Sequence, residues 1–152
     1  MFYSNKPIKL RAHHLLCLQG YQGYGYDENF KINLENVLNH LKTNPNVTVT
    51  KSADVICRHC PNLKDEKCCL NLGKYDNGLS KEKIENSNKE IIKMDSAVIK
   101  KMGIIENKSY NIDELYSDAL KNVDDLKDIC RSCIWTKECL WYAKNFKKSF
   151  RF

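Results

Sequence analysis

SKEKIENSNKEIIKMDSAVIKKMG, running from Ser80 to Gly103, carries Ile84, Ile91, Met94, Val98 and Met102 at the spacing of one apolar helical face. Ser80 is placed to cap the first turn and Gly103 to end the last, so the stretch predicts one long helix with a core-facing stripe. Upstream, Tyr75-Asp76-Asn77-Gly78 is turn chemistry. A second helix is expected from Asp27, its N-cap, to Lys42, with Phe30, Leu34, Val37, Leu38 and Leu41 on one stripe and Asn44-Pro45-Asn46 as the stop. Val47, Val49 and Val55-Ile56 alternate as one or two short strands, and Ile8 to Leu18 reads as a short helix. Downstream, Asn111 to Val123 is helical with an acidic first turn, Asp124 to Ile129 forms a further short helix, and Thr136 to Phe150 an aromatic one. The expectation is a mainly α chain, five to six helices with one or two short strands, forming a single domain over residues 1–152.

Two cysteine blocks flank the long helix. Cys57-Arg58-His59-Cys60 is followed by Cys68-Cys69, and Cys130-Arg131-Ser132-Cys133 by Cys139. Cys-x-x-Cys sets two thiolates on one side of a tight turn, and a third cysteine a few residues on closes round the same centre. The domain is therefore expected to be organised round a cysteine-ligated metal centre. Cys130, Cys133 and Cys139 form a compact three-ligand run of the 4Fe-4S kind, with Cys57 or Cys60, then Cys17, as the source of a fourth. Two clusters, one per block, would use Cys17 and Cys68 or Cys69 to complete the first. Neighbouring side chains of extended chain point apart, which favours Cys68 alone as a ligand. A structural zinc ion would instead take Cys57, Cys60, Cys130 and Cys133.

Composition bounds the class. The chain has 152 residues, 29% charged and 42% hydrophobic, with no apolar run approaching the roughly 18 residues of a membrane span. No secretory pattern stands at Met1 to Pro7, so a reducing cytoplasm is expected, where cysteines bind metal rather than pair; four structural disulfides would need export. The net charge of +6 is interspersed with acidic residues, and no nucleic-acid motif accompanies it. Arg58, Lys64, Lys67, Arg131 and Lys137 stand beside the cysteines, where they would offset thiolate charge.

The other concentrated signal is Arg11-Ala12-His13-His14-Leu15-Leu16-Cys17. On a helix Cys17 shares a face with His13 or His14, an arrangement that binds metal, activates a thiol, or merely packs. The loop Gln19 to Tyr26 is rich in glycine and tyrosine and suits either a packed surface loop or a ligand lid.

The Cys130, Cys133, Cys139 run is similar to the last three cluster ligands of helix-hairpin-helix DNA glycosylases. The chain departs from that family at the first ligand, where it has Val123, and it lacks the glycine hairpin, so base-excision repair is not carried over. Over nearly its whole length the chain resembles a family of small uncharacterised bacterial and archaeal proteins. The resemblance rests on Arg11 to Leu18, the loop Gly23-Tyr24-Gly25-Tyr26, Cys57 to Pro61, Met94-Asp95, and Cys130 to Trp135. Iron-sulfur binding is what that resemblance implies, with a single cysteine at the position of Cys68, and it supplies no reaction. The expected function is thus an iron-sulfur protein acting in electron transfer or redox sensing with a redox protein partner. The alternatives are a zinc-stabilised interaction module and a small metalloenzyme using His13, His14 and Cys17.

Overall fold

The computed structural model describes residues 7–23, 25–64, 66–69, 80–122, 126 and 129. Ile8–Arg11 forms β1, His14–Gly20 α1, Glu28–Thr43 α2, and Asn46–Thr50 β2. A 3-10 turn at Cys57–His59 leads into the short strands β3, Leu63–Lys64, and β4, Lys67–Cys68. Then come α3 at Lys81–Met102, β5 at Ser109–Asn111 and α4 at Ile112–Lys121. The described chain is mainly helical, and none of its helices is long and apolar enough to cross a membrane.

The helix ends follow their capping chemistry. The Asp27 carboxylate accepts the Phe30 N–H, the Ser80 hydroxyl oxygen that of Lys83, and the Asn111 side chain that of Asp113. Gly103 closes α3 in the left-handed conformation, φ 66° and ψ 33°, and its N–H donates to Ile99 and Lys100 carbonyls.

A three-stranded sheet of order β1-β2-β5 was beyond the expected one or two strands. β1 runs parallel to β2, with Ile8 opposite Val47 and Leu10 opposite Val49, and β5 pairs antiparallel with β2. The predicted helix from Ile8 to Leu18 is corrected accordingly: its first half is strand, and the helix begins only at His14. Parallel pairing with β2, across the α1 and α2 crossover, decides the state of a segment whose apolar residues fit both periods. Val55-Ile56 forms a turn instead of a strand, because the Asp54 carboxylate takes the backbone N–H of Ile56 that a ladder would need. The helix count also differs, with four α-helices among the described residues; the expected segments at 124–129, described only at Leu126 and Ile129, and at 136–150 fall largely or wholly outside them.

One hydrophobic core joins the layers: Leu10 of β1, Leu15 of α1, Val37 of α2, Val47 and Val49 of β2, Val98 of α3 and Leu115 of α4 are all buried in it. The tyrosine loop packs: Tyr21 lies against this core and Tyr26 meets Phe30 edge to face, ring centroids 5.0 Å apart.

Candidate metal centre

The end of β1 and the start of α1 deliver Arg11, His13 and His14 to two buried carboxylates far away in sequence. Asp95, fully buried in α3, accepts Arg11 Nε at 2.6 Å through one oxygen; the other accepts the His13 backbone N–H at 3.0 Å and lies 2.7 Å from His13 Nδ1. Asp54 is equally engaged. Its Oδ2 accepts the Arg11 backbone N–H at 2.6 Å and lies 2.7 Å from His14 Nδ1, while Oδ1 accepts the N–H groups of Ile56 and Cys57 at 2.9 and 3.0 Å. A carboxylate accepts only, so each ring presents Nδ1–H to it and keeps Nε2 on the other side.

Burial disfavours charge on both carboxylates, yet their partners outweigh it. His14 and the backbone N–H groups hold Asp54 well below the ordinary range, and His13 with Arg11 holds Asp95 low. The His13 ring is shifted down, by burial first and by the neighbouring His14, which together outweigh the upward pull of Asp95. The two rings meet with centroids 4.4 Å apart.

The first cysteine block sits on the turn that Asp54 anchors. Cys60 N–H donates to the Cys57 carbonyl at 3.0 Å, Leu63 N–H to the Cys60 carbonyl at 3.2 Å, and the β3-β4 ladder sets Cys68 opposite Leu63. Two side chains of α3 pin this ladder: Asn88 Oδ1 accepts the Cys68 N–H and the Ser87 hydroxyl donates to the Cys68 carbonyl, both at 3.0 Å. Cys57 is buried, Cys60 and Cys68 half-buried. Burial, with Asp54 adding to it, pushes the Cys57 thiol far up, and burial with Cys68 beside it pushes Cys60 up to about 11. Neither Cys57 nor Cys60 is an activated nucleophile, and ligation of a metal would draw both to the thiolate form.

Arg11 ties the two clusters together. It is 1% exposed, its Nη2 donates to the Lys51 carbonyl at 2.9 Å, and its guanidinium interacts electrostatically with both Cys57 and Cys68. Its Nη1 is buried with no hydrogen-bond partner among the described residues. An unsatisfied buried donor on a cation is costly, and an anionic sulfur centre would satisfy it. Two of the basic residues expected to offset thiolate charge are engaged elsewhere: Arg58 forks onto Glu66 and Lys67 pairs with Glu85. The buried guanidinium at the end of β1 is the better-placed cation.

Among the described residues, His14, Asp54 and Cys57 are the one set of three ligand-type groups whose donor atoms all lie within 4.8 Å of one another. The structure thus brings Cys57 to His14 and Asp54, with Cys60 on the same turn and Cys68 on the short ladder that follows it. Cys69 is buried with its thiol directed to the Lys67 carbonyl, and Cys17 lies one turn along α1. Cys130, Cys133 and Cys139 lie outside the described residues, as do Arg131 and Lys137. Sequence reasoning missed Asp54 as the anchor and Asp95 as the partner of Arg11. The signal for Asp95 was present: it falls four residues after Ile91 and three before Val98, an acid on the apolar stripe of α3.

No curated protein and no solved structure matches the chain. A family model does, over a segment that holds Asp54, Asp95 and both cysteine blocks and begins after the Arg11 to Cys17 motif. Matching that model over residues 25–139, the chain belongs to DUF1284, a family described as protein of unknown function.

Proposed function

We propose that this protein binds an iron-sulfur cluster, of the 4Fe-4S type, and acts in electron transfer or redox sensing with a redox protein partner. The observation that carries the reading is the buried Arg11 guanidinium, one donor without a partner among the described residues, on a residue that shares the Asp54 carboxylate with the Cys57 turn. Cys57, Cys60 and Cys68 would hold the cluster, with Cys17 or a cysteine among Cys130, Cys133 and Cys139 as further ligands. Bound there, a cluster supplies a one-electron store. Arg11 would offset its negative charge and donate to its sulfur, which favours the reduced state.

A zinc ion is the second reading, favoured by the mixed nitrogen, oxygen and sulfur donors of His14, Asp54 and Cys57. The enzyme reading, with His13, His14 and Cys17 as acid, base or nucleophile, is weaker because both rings are held by buried carboxylates.

Anaerobic purification with iron, sulfide and zinc analysis and a visible absorption scan separates these. The expected outcome is iron and sulfide in equal amounts, with an absorption that bleaches on reduction and iron that is lost in Cys57→Ser and Cys60→Ser. A colourless protein carrying stoichiometric zinc overturns the iron reading.

A further inference from the structure

Resting on the iron-sulfur reading, we infer that His14 is itself a ligand of the metal centre, bonding through Nε2, and that Asp54 is its positioning residue. With Cys57, Cys60 and Cys68 as ligands a cubic cluster has one corner left, and His14 takes it in place of Cys17 or a cysteine of the second block. One ring nitrogen of His14, a carboxylate oxygen of Asp54 and the Cys57 sulfur lie within 4.8 Å of one another, which puts the imidazole ring next to Cys57.

Of the two non-sulfur groups in that set, Asp54 is the one already committed. Each of its oxygens serves two partners: Oδ1 takes the Ile56 and Cys57 N–H groups, and Oδ2 takes the Arg11 N–H and faces His14 Nδ1. Ligation by Asp54 would strip donors from the turn that carries Cys57. Ligation by His14 disturbs none of them. Its Nδ1–H stays on Asp54, the ring is fixed in tautomer and direction, and Nε2 offers its lone pair. Carboxylate, imidazole and metal in that order is a recurrent way of orienting a histidine ligand and raising its basicity. Coordination needs the neutral ring and cysteine thiolates, so cluster binding releases the thiol protons of Cys57, Cys60 and Cys68 and leaves the hydrogen bonds of Asp54 in place. His13 is anchored in the same way, with Nδ1 and its backbone N–H on Asp95, but among the described residues it belongs to no such set with Cys57.

Nitrogen in place of sulfur at one corner changes what the centre does. Imidazole is a neutral ligand where cysteinate is anionic, so the centre carries less negative charge and its reduction potential rises.

The test is pulsed electron paramagnetic resonance on the anaerobically reconstituted, reduced full-length protein, prepared with natural-abundance or 15N-labelled histidine. The expected result is a hyperfine coupling of the size a directly bonded imidazole nitrogen gives, changing with the label, kept in His13→Gln and lost in His14→Cys. In His14→Cys, iron content should hold while the midpoint potential shifts downward. Iron-loaded wild type with no ligand-type nitrogen coupling, or a coupling that survives in His14→Cys, overturns the inference and leaves the iron-sulfur reading standing. Wild type that takes up neither iron nor sulfide overturns both.

Discussion

At Asp95 a single carboxylate holds a guanidinium, a backbone N–H and an imidazole, all buried or nearly so. Asp95→Asn keeps the shape but leaves Arg11 without its counter-charge and turns an amide donor towards donors, a loss of about 3–5 kcal/mol by the cost of breaking a buried ion pair. The dependence on pH follows from three shifts of one sign. The His13 ring is lowered from 6.5, so the folded chain takes up that proton less readily than the unfolded one, and stability begins to fall as pH drops through 6.5. Asp54 and Asp95 are lowered from 3.8, so the stability they contribute is present above that value and is lost as pH falls towards their folded values. Urea unfolding of the metal-free chain from neutral to acid pH should show the midpoint declining throughout, with the gap between wild type and Asp95→Asn narrowing at the acid end. A gap that stays constant would mean that Asp95 acts by shape alone. None of this network is local in sequence. Arg11 could be read as part of a motif, but its partners stand 43 and 84 positions away, and only packing brings them together.

Secondary structure was legible wherever caps and stripes were strong, and lost where an element depended on its neighbour. α2 and α3 start and stop where Asp27, Ser80 and Gly103 place them, since each terminus is decided by groups within a turn of it. β1 was misread as helix because Leu10, His13, His14 and Cys17 fit a helical spacing, while the four residues Ile8–Arg11 become strand only by pairing with β2. β5, three residues long, and the two-residue strands β3 and β4 carry too few positions for any period to register. Gly103 tests the local logic. A Cβ added there would meet nothing within 4 Å, so Gly103→Ala is penalised by backbone conformation alone, at φ 66°. The expected loss is about 1 kcal/mol, with Gly103→Asn costing less, because Asn tolerates the left-handed region. Chemical denaturation reads both, and an Ala variant as stable as wild type would show that α3 can end without its left-handed residue.

Across the whole molecule, the core and the cysteine turn are separable in kind. The buried layer of Leu10, Leu15, Val37, Val47, Val49, Val98 and Leu115 needs no metal, and α3 runs through it. The segment from Cys57 to Cys69 has little apolar burial; it is held by Asp54 at one end and by Ser87 and Asn88 at the other, through a handful of hydrogen bonds. Where a chain is unfolded without its metal, ligation supplies the folding energy outright. Here hydrophobic burial supplies it for the sheet and helices, and a cluster would add order to the turn. Removing the metal should therefore leave the far-ultraviolet circular dichroism of the helices largely intact. Hydrogen exchange followed by mass spectrometry should rise sharply in peptides spanning 57–69 and stay slow in those spanning 91–98, which belong to the globally protected core. Cys60→Ser should reproduce that pattern without chelation. If helicity collapses together with the turn, the metal is what folds this chain, and where no redox transition can be detected either, the zinc-stabilised reading takes the place of the redox one.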